Sequence, residues 1–396
     1  MVSTRVTWLA SLRAGLERRH TDRLLRELRP LESATGPEIR LQGITYIQFC
    51  TNNYLGLAGD PAVIAAAQEA AARWGAGSGA SRLVAGSLGL HHDLETALAR
   101  FKHAPAALVF PTGYMANLAV LTTFAGDADT IVSDKLNHAS LLDGACYSGA
   151  HCRTFPHRRY RRAADVLAKE PAEAGRFLVT DTVFSMDGDI ADLPAACAVA
   201  RQVEALLVVD EAHATGVLGP RGAGLAELQG VEEHIDLTVG TLSKALGSLG
   251  GFVAGPREAI DTLINAARSF IYTTALPPAS AGAALAALRI VEREPARRQR
   301  VCALADYARR ELRALGYDCG DSTTPIVPVI LGDAARALHA SERLRQRGLF
   351  VPAIRPPTVP PHSARLRLSF MTTHTDSQVE RLIQALHDLA PELTAP

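Results

Sequence analysis

One lysine stands in a stretch of small residues that could carry out carbonyl chemistry. Residues 238–255 read TVGTLSKALGSLGGFVAG, and the apolar run over residues 237–242 predicts a strand that ends just before Lys244. Only four of the 41 Lys and Arg residues are lysines, so this chain otherwise meets its need for cations with arginine. A desolvated lysine amine can lose its proton and attack a carbonyl carbon. We therefore interpret Lys244 as a candidate nucleophile rather than as a surface lysine in a turn.

A second candidate group follows another apolar strand. Residues 206–209 are all aliphatic, and Asp210, Glu211, Ala212 and His213 come directly after them. A carboxylate in this position is costly to bury without a partner, which indicates that Asp210 has one. The same four letters occur in a helicase motif, but that activity also needs a Gly-Lys-Ser/Thr phosphate loop. No Gly-Lys pair occurs anywhere in the sequence, so we exclude the helicase interpretation.

Three further strand ends carry polar or small residues. Gly113 and Tyr114 follow the predicted strand 107–110 and begin a helix, an arrangement that suits a phosphate but also fits an ordinary turn. His138 begins a helix after residues 130–133 and would either cap a flat ring or be a surface histidine. Ser185 lies in an acidic turn after residues 177–182, where turn chemistry alone would explain it.

Taken together, these groups match the requirements of one cofactor. Pyridoxal 5′-phosphate (PLP) needs a lysine for imine formation, a carboxylate to keep its pyridine nitrogen protonated, and a phosphate cradle. Lys244, Asp210 and the turn at Gly113 supply these parts, and His138 supplies a ring for stacking. The 34 positions from Asp210 to Lys244 leave room for a crossover between neighbouring strands. The sequence therefore predicts a PLP site.

The pattern of strands and helices predicts the scaffold that holds these groups. Short apolar strands alternate with helices between residues 107 and 254, which favours an α/β fold with a large, mostly parallel, doubly wound sheet. In such sheets ligands bind at the carboxyl ends of the strands. Beyond residue 315, three strands and two helices predict a smaller α+β C-terminal domain.

These patterns divide the chain into three parts. We predict a large PLP-binding domain over residues 49–290 and the small domain over residues 291–396. The first part, residues 1–48, contains leucines at helical spacing over residues 3–29, up to the helix-stopping Pro30. We expect this N-terminal helix to pack on the small domain.

Composition excludes several classes of function. The formal net charge is zero, so we expect neither a nucleic-acid surface nor a membrane surface. The six cysteines form no Cys-x-x-Cys motif, and we predict no metal site. Nothing near the N-terminus has the pattern of a signal peptide, so a cytoplasmic location is the expectation.

Three motifs are spread along the chain: Asn52-Asn-Tyr-Leu-Gly56, Phe184-Ser-Met-Asp-Gly-Asp189 and Thr241-Leu-Ser-Lys244. Through these motifs the chain resembles the α-oxoamine synthase family of fold type I PLP enzymes over nearly its whole length. Residues 353–360, AIRPPTVP, followed by residues 364–368, ARLRL, are similar to the branch that condenses L-alanine with a pimeloyl thioester in biotin biosynthesis. That resemblance implies a PLP-dependent acyltransferase. Branches that use glycine or serine with other acyl-CoA donors share the cofactor motifs and remain the alternative.

The resemblance also implies roles for the cofactor-binding positions. Lys244 would hold the cofactor, Asp210 would pair with the pyridine nitrogen, and His138 would stack on the ring and assist catalysis. The remaining positions would bind its oxygens: the phosphate at Gly113, Tyr114 and Thr241, and the phenolic oxygen at Ser185 and His213. Thr273 and Thr274 would reach the phosphate of the other subunit, which implies an obligate homodimer.

On the substrate side, the resemblance implies that Asn52 and Arg367 face the amino-acid carboxylate. Thr358 would lie near the acyl group, and Arg26 would lie at the entrance for the thioester of coenzyme A or a carrier protein. The chain departs from the usual family pattern at residues 158–159, where two arginines stand in place of Asn-Asp, and at Asp181, where glutamate is usual.

Overall fold

The computed structural model describes residues 4–171 and 173–393. The strands are β1 Glu38–Leu41, β2 Ile44–Gln48, β3 Ala106–Phe110, β4 Thr130–Asp134, β5 His151–Phe155, β6 Arg176–Asp181, β7 Leu206–Asp210, β8 Leu237–Thr241, β9 Gly251–Gly255, β10 Ile326–Gly332, β11 Leu349–Phe350, β12 Ala353–Ile354 and β13 Ala364–Ser369. The α-helices are α1 Thr4–Thr21, α2 Pro61–Trp74, α3 Gly89–Phe101, α4 Gly113–Phe124, α5 Ala139–Ser148, α6 Tyr160–Leu167, α7 Leu193–Gln202, α8 Leu225–Gln229, α9 Arg257–Ala266, α10 Arg268–Ile271, α11 Pro278–Arg293, α12 Pro295–Ala314, α13 Ala334–Gln346 and α14 Asp376–Leu393.

A seven-stranded sheet with the order β3-β9-β8-β7-β6-β4-β5 forms the centre of the fold. Strand β9 runs antiparallel to both of its neighbours, and the other strands run parallel to one another. Strands β3, β4 and β9 are buried along their whole length because helices cover both faces. The predicted α/β, mostly parallel sheet is confirmed.

The direction of the strands brings the candidate residues together. Strands β3, β4, β6, β7 and β8 all end at the same edge of the sheet, and the predicted cofactor residues follow those ends. The register places Asp181 of β6 directly beside Asp210 of β7. Two carboxylates therefore lie next to each other at the edge where parallel sheets bind their ligands.

Two smaller sheets contain the remaining strands. One has the order β10-β13-β12 and the other the order β1-β2-β11. The sequence predicts one strand over residues 350–354, but the structure divides it into β11 and β12, which belong to different sheets. Pro352 lies between the two pieces and has no N–H group for a continuous ladder.

The N-terminal helix is shorter than its leucine spacing predicts. The prediction covers residues 3–29, of which residue 3 lies outside the described ranges, whereas α1 ends at Thr21. Arg23 has the left-handed φ of 56°, and the N–H groups of Arg23 and Leu24 donate to the carbonyls of His20 and Arg19. This is a Schellman termination, which usually has glycine at the left-handed position, so the sequence carries no signal for it.

The division of the chain into three parts, with boundaries after residues 48 and 290, stays a prediction. Residues 1–3 of the first part and residues 394–396 of the last part lie outside the described ranges. Over the residues that the structure describes, no helix is both long enough and apolar enough to cross a membrane.

Candidate active site

A cavity of about 160 Å³ opens at the carboxyl edge of the large sheet. Its lining brings together residues from five strand ends and the helices that follow them: Gly113, Tyr114, Asn117, His138, Ser140, Asp181, Ser185, Asp210, Ala212, His213, Gly240, Thr241 and Lys244. Every cofactor residue predicted for the same subunit lines this cavity. The roles assigned to these residues stay predictions.

Asp210 lies at the base of the cavity with only 5% of its surface exposed. Its Oδ1 accepts the N–H of Ala212 at 2.7 Å, and its Oδ2 accepts Nδ2 of Asn117, also at 2.7 Å. Among the described residues no basic side chain forms an ion pair with Asp210. Neutral donors alone do not balance a buried charge, so the carboxylate is suited to a cationic partner in the cavity.

Lys244 follows β8 and faces the two carboxylates. Burial lowers the pKa of its amine from 10.5 to about 8, although Asp210 and Asp181 oppose the change and Arg367 adds to it. The amine is therefore partly neutral at ordinary pH. A neutral amine has the lone pair that nucleophilic attack and proton abstraction require.

His138 is the N-cap of α5 and is held from two sides. Its backbone N–H donates to Oδ2 of Asp181 at 2.7 Å, and its Nδ1 accepts the backbone N–H of Ser140 at 3.2 Å. Burial lowers the pKa of the imidazole, although Asp210 raises it. Burial and the neighbouring Asp210 raise the pKa of the Asp181 carboxyl well above its usual range. His138 is therefore a neutral ring at one wall of the cavity.

The cavity lining also contains His213, whose Nδ1 lies 2.7 Å from the hydroxyl oxygen of Tyr54. Burial, with Lys244 and Arg367 nearby, holds the pKa of His213 well below its usual range. Burial also raises the pKa of Tyr54, so its hydroxyl keeps its one proton. Of the two acceptors within reach, Nδ1 of His213 at 2.7 Å is nearer than Oδ1 of Asn52 at 3.2 Å, which favours donation to Nδ1. The proton of His213 is therefore on Nε2.

Asn52 and Arg367 meet beside the Tyr54 hydroxyl, at 3.2 Å and 3.4 Å from its oxygen. Nη2 of Arg367 donates to Oδ1 of Asn52 at 3.1 Å, and its Nε donates to the backbone carbonyl of Ser185. Nη1 donates to the hydroxyl of Ser369 at 2.8 Å. The guanidinium has no carboxylate partner among the described residues, so its charge remains available for an anion.

The predicted phosphate cradle lies at the start of α4. The Thr112 hydroxyl caps this helix by accepting the N–H of Met115 at 3.2 Å, and the N–H groups at Gly113 and Tyr114 begin the helix. Across the loop, a Cβ on Gly251 would lie 2.5 Å from the Gly113 nitrogen, so only glycine permits this approach of the two backbones. The site has the free N–H groups and the helix dipole that bind phosphate.

Two other groups of predicted residues lie outside the cavity. Nη2 of Arg26 donates to the Thr358 hydroxyl at 2.9 Å, and both residues line a separate groove of about 1010 Å³. Thr273 and Thr274 are not part of the cavity lining within the described chain. Their segment lies beside residues 78–80, where the N–H of Ala275 donates to the carbonyl of Ala80 at 3.0 Å.

The sequence prediction missed five residues that line the cavity: Asn117, Ser140, Asp181, Ala212 and Gly240. Asn117 is one helical turn after Gly113, so the i, i+4 rule already places it on the same face of α4. Asp181 is the last residue of a strand next to the one that ends at Asp210. Both signals were present in the sequence once the strand ends had been recognised.

The residues present fit PLP. The cavity combines a helix N-terminus for a phosphate, a buried carboxylate without a cationic partner, and a lysine whose amine is partly neutral. Within the described residues no group of histidine, cysteine and carboxylate side chains could hold a metal ion.

Comparison with protein families supports the same chemistry. The sequence model of the family described as aminotransferase class I and II matches residues 44–386. The 8-amino-7-oxononanoate synthase of Pseudomonas paraeruginosa is 47% identical over 385 residues, which cover 97% of this chain and 96% of the relative. The enzyme of the same name from Cellvibrio japonicus is 48% identical over 380 residues, or 96% of this chain and 95% of the relative.

Solved structures show the same fold with two activities. A serine palmitoyltransferase variant from S. paucimobilis, with a bound PLP–myriocin aldimine, superposes with a TM-score of 0.93 at 32% identity and covers 98% of this chain and 99% of its own. The 8-amino-7-oxononanoate synthase of Francisella tularensis superposes with a TM-score of 0.77 at 29% identity, covering 88% of this chain and 98% of its own. The overall fold therefore does not separate the two substrate classes.

Proposed function

The chain belongs to the class I and II aminotransferase family, the PLP enzymes of fold type I, and on this premise we propose that it is an acyltransferase that condenses L-alanine with a pimeloyl thioester. The reaction joins Cα of alanine to the acyl carbon and yields 8-amino-7-oxononanoate, carbon dioxide and the free thiol of coenzyme A or a carrier protein. This is a step of biotin biosynthesis. The single observation that carries the proposal is the presence of Lys244 and the buried Asp210 in one cavity, within a chain 47% identical to synthases of that name.

PLP, when bound, supplies an electron sink that stabilises negative charge at Cα of the amino acid. The protein supplies the proton transfers. Lys244 would hold the cofactor and, once released from it, would take the Cα proton, which its lowered pKa of about 8 favours. Asp210 would keep the pyridine nitrogen protonated. Nε2–H of His213, fixed by Tyr54, would donate to the phenolic oxygen together with Ser185.

The substrate carboxylate would bind between Asn52 and Arg367. Arg367 has a free charge and lies against Ser185, so it connects the substrate side to the cofactor cavity. Two parallel N–H groups of a guanidinium match the two oxygens of a carboxylate. Loss of carbon dioxide from the condensed intermediate would then follow with the carboxylate held in place.

The acyl chain would occupy the groove that contains Arg26 and Thr358. Arg23, Arg29 and Arg355 also line this groove, and Glu27 is its one acidic lining residue within the described chain. Arg26 lies close enough to lower the pKa of Arg355, after burial as the main cause. Two guanidinium groups near each other, neither with a carboxylate partner among the described residues, favour an anion between them, such as a terminal carboxylate or the phosphates of the donor.

The working unit would be a cytoplasmic homodimer with shared sites. Leu83 and Val84 are 54% and 80% exposed, and Tyr272 is 73% exposed, although all three are large apolar or aromatic residues. The Ser78 hydroxyl donates to the carbonyl of Leu276 at 2.7 Å, so the segment with Thr273 and Thr274 and the loop with Leu83 lie on one surface. A second copy covering this surface would bury the exposed side chains and bring the two threonines to its phosphate.

Subunit complementation tests the dimer. Lys244→Ala and the double variant Thr273→Ala/Thr274→Ala should each be weakly active alone. After subunit exchange, heterodimers should regain one intact site and part of the activity. Exchange proven by differently tagged subunits without any recovery would contradict the shared site.

A substrate panel tests the reaction itself. We expect kcat/KM with pimeloyl-CoA to be highest for alanine when alanine, glycine and serine are compared, with products identified by mass spectrometry. With alanine, acyl-CoAs that lack the far carboxyl group should react more slowly, and Arg26→Ala should reduce this difference. Arg18→Ala, on the exposed helix outside the groove, is the control.

A preference for serine or glycine would identify a sister activity. Serine with a long-chain acyl-CoA is the leading alternative, because the serine palmitoyltransferase superposes with a TM-score of 0.93. Glycine as the preferred substrate would indicate an activity like that of 2-amino-3-ketobutyrate CoA ligase.

A further inference from the structure

The amide of Asn117 connects two residues that face the cofactor cavity. It is 1% exposed, and its Nδ2 donates to Oδ2 of Asp210 at 2.7 Å and to the hydroxyl of Ser140 at 2.8 Å. Ser140 is also buried, and its hydroxyl lies 2.7 Å from Nδ1 of His138. One chain of hydrogen bonds therefore extends from Asp210 through Asn117 and Ser140 to His138.

The orientation of this amide is determined by Asp210. Turning the side chain by 180° would point Oδ1 at a carboxylate oxygen, which is repulsive while Asp210 is ionised. In the observed orientation Oδ1 is buried and has no hydrogen-bond partner within the described structure. An unpartnered buried acceptor is destabilising, so packing and stability alone do not account for an asparagine at this position.

The direction of the remaining hydrogen bonds follows from this orientation. Because Asn117 donates to the Ser140 oxygen, the Ser140 proton is free to point towards Nδ1 of His138. The backbone N–H of Ser140 also donates to the same Nδ1, at 3.2 Å. Two donors therefore point at Nδ1. A proton on that nitrogen would be repelled by the hydrogen atoms of both donors.

We infer that Asn117 and Ser140 are positioning residues that keep His138 in its neutral form with the proton on Nε2. His138 then presents a hydrogen-bond donor to the cavity, suited to a carboxylate or keto oxygen of the reacting molecule. The same amide holds Asp210 in place at the other end of the chain. The inference rests on the proposed function in one respect: it assumes that His138 faces the cofactor and the substrate.

The other charged groups around His138 do not select which of its ring nitrogens carries the proton. Asp210 and Asp143 favour the protonated ring, whereas burial and Lys244 favour the neutral one. Asp181 accepts the backbone N–H of His138 and does not touch the ring nitrogens. None of these groups distinguishes Nδ1 from Nε2, whereas Ser140 contacts Nδ1 directly.

The test is the tautomer of His138, measured by long-range proton–nitrogen NMR on the full-length chain labelled with ¹⁵N-histidine. The signal is assigned with His138→Gln, and spectra are recorded without cofactor and after its addition. We expect Nδ1 to show the shift of an unprotonated nitrogen and Nε2 that of a protonated one. A proton on Nδ1, or a doubly protonated ring at neutral pH, would overturn the inference.

Variants test whether the two positioning residues cause this state. Ser140→Ala and Asn117→Ala should each increase the population with a proton on Nδ1, and in Ser140→Ala only in part, because the backbone N–H of residue 140 still donates to that nitrogen. Each should lower kcat roughly tenfold with little change in KM. Ser148→Ala makes the same substitution in the same helix, where the hydroxyl donates to the carbonyl of Ala145 at 2.7 Å and accepts the backbone N–H of Ala150 at 3.1 Å, outside the cavity. It should leave both the tautomer and kcat unchanged.

The outcome is separable from that of the proposed function. An Nε2–H tautomer whose population falls in Ser140→Ala supports the series of hydrogen bonds, whichever amino acid the enzyme prefers as substrate. A tautomer that is unchanged in both variants would contradict the inference even if alanine is the preferred substrate.

Discussion

The hydroxyl of Tyr54 lies 2.7 Å from Nδ1 of His213, although 159 positions separate the two residues. The same hydroxyl lies 3.2 Å from Oδ1 of Asn52 and 3.4 Å from Nη2 of Arg367. Tyr54 therefore joins the predicted carboxylate site to the predicted cofactor site. Any movement of Arg367 on binding an anion reaches His213 through one oxygen atom.

We predict that Tyr54→Phe lowers kcat/KM about tenfold, because a buried imidazole nitrogen then loses its donor. The absorbance maximum of the bound cofactor should also shift, since His213 no longer has a fixed tautomer. Tyr317→Phe is the control, because it removes a buried hydroxyl that donates to the Leu386 carbonyl at 2.7 Å, away from the cavity. Equal losses in the two variants would contradict a specific role for Tyr54.

Lys244 should be the residue that captures the cofactor. Borohydride reduction after addition of PLP, followed by peptide mapping, should label Lys244 and leave the buried Lys102 unmodified. Because only the neutral amine attacks a carbonyl and the pKa of Lys244 is about 8, the rate of capture should rise with pH and level off above about pH 8. A label on another lysine, or a rate that falls over this range, would exclude the assignment.

Lys102 forms an ion pair with Glu211 that lies next to the site without belonging to it. The Nζ–Oε2 distance is 2.5 Å, and the two side chains are 3% and 1% exposed. Lys102→Met should lower the free energy of unfolding by about 3–5 kcal/mol, because it leaves a buried carboxylate unpaired. Adding Glu211→Leu should recover most of the loss, as measured by urea denaturation. No recovery would show that the effect comes from packing rather than from charge.

His157 should contribute stability that depends on pH. Burial alone would lower its pKa, but contacts with Asp134 at 3.1 Å and Asp189 at 2.8 Å raise it from 6.5 to about 9. A pKa that is higher in the folded state stabilises the protein fully below the unfolded value and loses its effect as pH rises to 9.

His157→Gln should therefore lower the free energy of unfolding by about 1–3 kcal/mol at pH 6 and by much less at pH 9.5. Urea midpoints at the two pH values provide the measurement. The exposed pair Arg162–Asp165 is the control, because Arg162→Ala should have little effect at either pH. A loss from His157→Gln that is equal at both pH values would contradict the ionic origin.

Two arginines, Arg158 and Arg159, replace the usual family residues after His157. The structure explains the first of them. Arg158 adopts a left-handed φ of 58°, which asparagine tolerates better than arginine. Its guanidinium lies 3.2 Å from Asp189 and 3.4 Å from Asp321, contacts that an asparagine is too short to make. Nothing in the structure explains Arg159 in the same way.

The sequence alone determined the sheet class and which residues gather in one cavity, for a physical reason. Apolar runs predict strands, parallel strands end at one edge, and reactive residues such as Lys244 and Asp210 directly follow those ends. The order of residues along the chain therefore predicts a common site before any distance is known.

Only the tertiary structure decided which distant residues touch. Arg26 and Thr358 are 332 positions apart and Asn117 and Asp210 are 93 apart, yet hydrogen bonds join both pairs. Such contacts depend on how strands are ordered and how helices pack, and no local period in the sequence records them. The end of the first helix at Thr21 was decided in the same way, by a left-handed arginine in a position where glycine is the usual signal.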